Sequence, residues 1–90
     1  MSLTVFEFVN VASVEDFFAQ LEGQLEFEYP AGHNLDTLHD VLTNALTGPI
    51  QLVWYDTLFS RTALGEGFIR IVDVLNTAAA TRADMTVSLQ

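Results

Sequence analysis

The chain of 90 residues contains no cysteine, which excludes a disulfide framework, thiol catalysis and thiolate metal sites. Lysine is also absent, so the permanently positive side chains are three arginines, the first of them Arg61. No apolar run approaches the roughly 20 residues of a membrane-spanning helix. Residues 1–10 have neither the basic start nor the apolar length of a secretory signal, so we expect a cytoplasmic protein.

The composition is typical of a folded protein with one hydrophobic core. Half of the residues are apolar, and they include seven phenylalanines and one tryptophan. Disordered chains lack such residues, because they cannot bury enough apolar surface to offset the entropy of ordering. A chain of this length supports one core and not two, so we expect a single domain over residues 1–90.

Charge is the main functional signal in the composition. Twelve Asp and Glu stand against three Arg, which gives a net charge of −9. Such a field repels nucleic acid and anionic membranes and attracts basic proteins. We therefore expect a basic protein as the partner. We also expect no cofactor, and a monomer when the partner is absent. The alternative is that the negative charge only keeps the protein soluble.

Three segments are predicted to be strands, because they are rich in β-branched and aromatic residues: 3–9, 50–55 and 84–89. The intervening segments are long enough for the helical crossovers that parallel strands require. The apolar run 50–55 is typical of a strand that is covered on both faces. The predicted fold class is α/β, a small three-stranded parallel sheet flanked by helices.

Capping residues and apolar spacing predict the helices. Ser13 and Asn34 are the predicted N-caps of the first two helices. Asp56 is predicted to cap a short helix that ends near Arg61, followed by a loop over residues 62–67. The apolar positions of the three longer helices are Val14, Phe17, Phe18, Leu21 and Leu25; Leu35, Leu38, Leu42 and Ala45 or Leu46; and Phe68, Ile71, Val72, Leu75 and Ala79.

Two carboxylates on the second predicted helix form the main candidate site. Asp36 and Asp40 are separated by four positions, which puts both side chains on one face, opposite the leucines. The helix dipole favours Asp36 in the first turn, whereas Asp40 has no such support. Two like charges without a basic neighbour indicate a surface that binds a cationic partner. An ordinary solvated helix face is the alternative.

Other chemistries are weaker interpretations of the same residues. By helical angle, His33 points roughly the same way as Asp36 and Asp40, and the three could hold a divalent metal, although the spacing matches no standard motif. Acid–base catalysis would need the carboxylates in a desolvated pocket, and nothing in the sequence indicates one. Residues 65–67, Gly-Glu-Gly, are only a fragment of a phosphate-loop pattern.

The same region resembles a known family. The residues that carry the resemblance are Tyr29, Gly32, the run Asn34-Leu-Asp-Thr-Leu-His-Asp-Val-Leu42, Gly48-Pro49, the strand ending in Trp54, and the closing strand at 84–89. In kind and order these elements resemble barstar-like proteins, intracellular inhibitors of an extracellular bacterial ribonuclease. Nearly the whole chain is covered, with the first residues matching by pattern more than by identity.

The resemblance implies a function for the acidic helix. An inhibitor of this family places a loop and helix in the ribonuclease active site, where carboxylates take the position of RNA phosphates. On this basis Asp40 is the central contact, Asp36 meets a flanking cation and Tyr29 packs against a catalytic histidine of the enzyme. The implied partner-binding residues are Tyr29, Gly32, His33, Asn34, Asp36, His39, Asp40 and Thr43.

Three departures from the family pattern bear on the partner. The loop from Tyr29 to Asn34 is one residue longer, with Pro30-Ala31 around the turn. His39 stands where the family often has an aromatic residue, and Thr77 where an acidic residue adds a contact to the enzyme. A second function therefore stays open, that of an acidic interaction module whose basic partner is not a nuclease.

Overall fold

The three predicted strands form one parallel sheet in the computed structural model, which describes residues 3–29 and 32–90. The strand order is β1-β2-β3, so that β2 is central. The predicted α/β fold is confirmed. The elements in chain order are β1 (Thr4–Phe8), α1 (Val14–Gln24), α2 (Leu35–Asp40), a π-helical segment (Val41–Ala45) that continues α2, β2 (Ile50–Trp54), α3 (Thr57–Leu64), α4 (Glu66–Thr81) and β3 (Met85–Leu89).

The core lies on the face of the sheet against which the helices pack. Aromatic rings fill its centre: Phe8 stacks on Phe17 with ring centroids 4.5 Å apart, and Trp54 meets Phe68 edge to face at 5.0 Å. The Trp54 indole N–H donates to the hydroxyl of Ser60, which is fully buried. This bond supplies the partner that a buried indole requires and ties α3 to the central strand.

The opposite face of the sheet is largely open to solvent. Val5, Glu7 and Thr86 are exposed there, and Gln51 is half-buried. Only Val53, at the centre of this face, is buried, with 5% of its surface accessible. The predicted cover of the central strand on both faces is therefore confirmed at Val53 and is only partial at Gln51.

The two predicted N-caps are confirmed. The Ser13 hydroxyl accepts from the backbone N–H of Asp16 at 3.0 Å, and Asn34 caps α2 in the same way. Of the two candidates at the end of the second helical stripe, Leu46 is buried and Ala45 is exposed. Most of the other predicted core positions are buried or half-buried, with Ala78 rather than Ala79 fully enclosed on α4.

The predicted loop over residues 62–67 is wrong. Residues 62–64 are the last turn of α3, and Gly65, with φ +58°, alone separates α3 from α4. Gly67 lies inside α4, where a Cβ would come within 2.8 Å of Val14. Gly65 is thus needed for a backbone turn with positive φ, and Gly67 for close packing against Val14. Two glycines this close together are also typical of a loop, which is why the sequence predicted one. Asp56 occupies the predicted N-cap position of α3, with φ +58°, but its side chain makes no capping hydrogen bond.

The predicted insertion at Pro30-Ala31 lies outside the described residues. In the part of the chain that the structure describes, no helix is both long enough and apolar enough to span a bilayer.

Candidate functional site

Asn34 and Gly32 shape the start of α2. The Asn34 side-chain oxygen accepts from the Thr37 backbone N–H at 2.8 Å and from the Thr37 hydroxyl at 3.0 Å. Gly32 has φ +96°, and a Cβ there would lie only 3.2 Å from the Asn34 amide nitrogen. A glycine and a short polar cap are therefore both needed for the chain to enter the helix at this angle.

Arg82 holds the other end of the helical segment. Its guanidinium donates to the carbonyls of Leu42 and Leu46 at 2.9 and 2.7 Å, and it pairs with the Asp84 carboxylate at 2.9 Å. The same ion pair holds the pKa of Asp84 below its usual range. A methyl group at Gly48 would overlap that carboxylate, so the Arg82–Asp84 pair can take this position only beside a glycine. The arginine is thus committed to the carbonyls at the end of the helix.

Asp36 and Asp40 are both exposed on α2, as predicted from their spacing. The Asp40 carboxylate accepts a hydrogen bond of 2.8 Å from the Asn44 side-chain amide, one turn later. Within residues 3–29 and 32–90, neither aspartate has a cationic side chain within ion-pair distance; the ion pairs are Glu22–His33, Glu66–Arg70 and Asp84–Arg82. The two negative charges are therefore oriented on a helix and not neutralised locally.

His33 does not join the two aspartates. Its ring stacks on Phe18 of α1 with centroids 4.9 Å apart, and its Nε2 lies 2.6 Å from the Glu22 carboxylate. The helical angle used to place it does not apply, because His33 precedes the N-cap of α2. Among the described residues no three His, Asp or Glu side chains are close enough to hold a metal ion. No cluster of possible metal ligands within residues 3–29 and 32–90 therefore supports the metal interpretation.

Tyr29 is folded into the loop. It is 9% exposed, and its ring meets Phe18 and His33 edge to face at 5.9 and 5.6 Å. Its hydroxyl is buried without a hydrogen-bond partner among the described residues, and burial together with the Glu22 charge raises its pKa to about 12. The sequence left open whether this ring covers the loop or meets a partner. In this arrangement it offers a partner little surface.

The remaining predicted site residues, His39 and Thr43, lie one turn apart on α2 and its π-helical continuation. Both are half-buried, and the Thr43 hydroxyl donates to the His39 carbonyl at 2.8 Å. Sequence reasoning missed Asn44, although its position four residues after Asp40 is a usable signal. It also missed Glu22, which brings a further carboxylate beside His33 and could be found only from the fold.

The two N-caps provide a matched test of how α2 is held. Asn34→Ala and Ser13→Ala should each lower the free energy of unfolding by about 0.5–2 kcal/mol, because each leaves a helix N–H without its acceptor. Thermal or urea denaturation measures both losses. Only Asn34→Ala should also weaken partner binding, because Ser13 caps α1, away from the aspartates. Equal effects of the two variants on binding would contradict a specific role for the start of α2.

The site is a charged helix surface and not a catalytic pocket, since acid–base catalysis depends on desolvated carboxylates and these are exposed. The fold and the site thus define a class: small parallel α/β proteins that present an acidic helix at the surface.

The family model described as Barstar (barnase inhibitor) matches residues 1–90, and the chain therefore belongs to that family. The family is one of inhibitors and not of catalysts. No curated protein matches the chain.

Proposed function

We propose that this protein is a cytoplasmic inhibitor that blocks the active site of a barnase-type ribonuclease with α2 and the loop before it. The carrying observation is the pair Asp36 and Asp40, exposed on one helix face and without a cationic partner among the described residues, in a chain of the barstar family. A ribonuclease active site is a matching surface, because it gathers cationic side chains around an RNA phosphate.

The mechanism is substitution of carboxylate for phosphate. A carboxylate accepts bidentate, charge-assisted hydrogen bonds from arginine much as a phosphate does. The Asn44 amide fixes the direction of the Asp40 carboxylate before the partner arrives, which lowers the entropy lost on binding. Repulsion between Asp36 and Asp40 is also relieved when enzyme cations come between them. All these groups belong to one chain, so one copy would block one enzyme.

The residues around the two aspartates would form the edge of the interface. Gly32, His33 and Asn34 are exposed at the start of α2, and His39 and Thr43 lie along it. Tyr29 would contribute by supporting His33 from beneath, since the ring is buried against it. In the proposed interface these groups supply shape and exclude water, while the carboxylates supply the charge.

Inhibition of a barnase-type ribonuclease and its salt dependence test this proposal. Adding the protein should abolish cleavage of an RNA substrate at one inhibitor per enzyme. Raising the salt from low to physiological concentration should slow association several-fold, because screening acts chiefly on the encounter of opposite charges, and should change dissociation less. Barnase with barstar is itself a reference case for such steering, so the several-fold range is the family's own value. Stopped-flow mixing measures both rates, and a salt-insensitive association rate would indicate an apolar interface.

A non-nuclease basic partner is the second candidate. It is favoured by Thr77, which stands uncharged on the exposed face of α4 and whose hydroxyl bonds the Asp73 carbonyl of its own helix. The family's further acidic contact is therefore missing at this position. Pull-down from cell extract at low and high salt separates the two candidates, since a captured ribonuclease supports the first and a captured basic protein without nuclease activity supports the second.

A further inference from the structure

The two edges of the sheet differ, because side chains cover the β1 edge at Glu7 and Val9. The bonds from the Thr4 N–H to Pro49 and from the Tyr55 N–H to the Phe8 carbonyl show that even-numbered residues of β1 face β2. The odd-numbered residues face outward. There the Gln24 side-chain amide donates to the Glu7 carbonyl and accepts from the Glu7 N–H, both at 2.8 Å.

Gln20 repeats this arrangement one turn earlier on α1. Its amide bonds both the N–H and the carbonyl of Val9 at 3.0 Å. Each glutamine thus pairs with the strand as a peptide unit of a neighbouring strand would. The match is geometric, because four residues along a helix and two residues along a strand both span about 6 Å. No strand of another chain can reach Glu7 and Val9 while these amides occupy them.

The edge at β3 has no such cover. The Ile50 N–H donates to the Asp84 carbonyl and the Gln90 N–H to the Trp54 carbonyl, so even-numbered residues of β3 face β2. The N–H and carbonyl groups of Met85, Val87 and Leu89 therefore point away from the sheet. Within the described residues, no side chain bonds them.

The open edge also lacks the features by which proteins usually prevent strand addition. Such edges carry lysine, proline or inward charges. Residues 85–90 contain none of these, in a chain whose net charge is −9. A free edge of this kind adds another extended strand readily, and an uncharged strand is the partner that it fits.

We propose that β3 pairs antiparallel with β3 of a second copy of this chain, joining two sheets into one. With Val87 opposite Val87 of the second copy, Met85 and Leu89 also become opposite. Each of these residues then donates one hydrogen bond and accepts one across the two-fold axis. The outward groups of the open edge are all satisfied in this register.

The symmetry of the open edge favours a second copy in the antiparallel direction. The outward groups belong to Met85, Val87 and Leu89, which are evenly placed about Val87, so two copies of this edge are complementary about a two-fold axis. In a parallel pair, each residue bonds to two different residues of the other strand, so two copies of this edge would meet out of register and without that symmetry.

This pairing departs from the monomer expected from the sequence, because strand patterns do not show which edges are covered. It uses β3 and leaves the aspartates of α2 exposed, so it is independent of the proposed inhibition. Its salt dependence should also be opposite. Two chains of charge −9 repel each other, so salt should strengthen the pairing while it slows capture of a basic enzyme.

Hydrogen exchange combined with sedimentation tests the pairing on the unmodified protein. Between low micromolar and about 1 mM protein, sedimentation should show a monomer passing to a dimer. Over the same range the N–H groups of Met85, Val87 and Leu89 should slow their exchange by about tenfold or more. Those of Thr86 and Ser88, which bond β2, should be protected throughout. A monomer over the whole range, or a dimer in which the odd-numbered amides stay unprotected, would overturn the proposal.

Val87→Pro adds an independent measurement. It removes an N–H that makes no bond within the chain, so it should keep the fold and abolish the dimer. Val5→Pro is the matched control, since it removes an outward N–H from the β1 edge and should leave dimerisation unchanged. A dimer that survives Val87→Pro in a folded protein contradicts pairing through β3. Loss of the dimer in a folded Val5→Pro variant, while the Val87→Pro variant still dimerises, would contradict it as well.

Discussion

Leu75→Ala should lower the free energy of unfolding by about 2–5 kcal/mol. Leu75 lies on α4 with none of its surface exposed, in the core that α4 shares with the sheet and α2. Truncation removes the transfer free energy of the buried methyl groups and leaves a cavity that surrounding side chains fill only in part. Urea denaturation followed by tryptophan fluorescence measures the loss, because Trp54 lies in the same core.

Ile69→Ala is the matched control for this prediction. Ile69 lies on the same helix with 62% of its surface exposed, so its truncation forms no cavity and adds a better helix former. Its effect should stay within about 0.5 kcal/mol of zero. A small loss for Leu75→Ala, or equal losses for the two variants, would show that the buried face of α4 lies elsewhere.

The order of elements could be predicted because short-range signals agree with the fold. Strand 50–54 is an apolar run ending in Trp54, and Ser13 and Asn34 have the side chains that cap helices. Two helical crossovers in sequence leave few arrangements other than parallel strands. These features depend on residues close in the chain, which is where pattern-based reasoning is strongest.

What could not be predicted depends on contacts between distant residues. Position 67 of α4 requires a glycine because Val14, far away in the sequence, leaves no room for a Cβ, and no local signal separates that role from a loop. Gln20 and Gln24 look like ordinary exposed helix residues until β1 is placed beside them. The exposure of Val5, Glu7 and Thr86 on the second face of the sheet was missed for the same reason, since it depends on which elements pack there.

The same distinction between local and distant contacts applies to the residues of the candidate site. Asp36 and Asp40 lie within one helix, so their spacing was enough to predict a shared exposed face. His33 and Tyr29 lie in the loop before it, and their contacts with Phe18 are fixed by the packing of α1. Residues whose direction is set by a helix can be placed from sequence, whereas residues whose direction is set by a neighbouring element cannot.

Asp40→Ala should weaken binding to a barnase-type ribonuclease by about 2–5 kcal/mol or more, because enzyme cations would be left buried and unpaired in the complex. Folding should change little. Asp40 is exposed, its side chain bonds only Asn44 among the described residues, and alanine is the better helix former. Isothermal titration of the variant and the unmodified protein, together with residual ribonuclease activity, measures the change. This is the largest effect on function that we expect from one side chain.

Two further variants separate the position of this charge from its amount. Asp73→Ala, on the exposed face of α4, changes the net charge equally and should alter binding little. Asp40→Asn retains an oxygen that can accept from Asn44, so a loss comparable to that of Asp40→Ala would assign the effect to charge and not to helix geometry. A chelator should change none of these affinities, whereas the metal interpretation requires chelation to act like Asp40→Ala and His33→Ala. If Asp40→Ala binds and inhibits as the unmodified protein does, the acidic face of α2 is only a solvated surface, and phosphate mimicry is wrong for this chain.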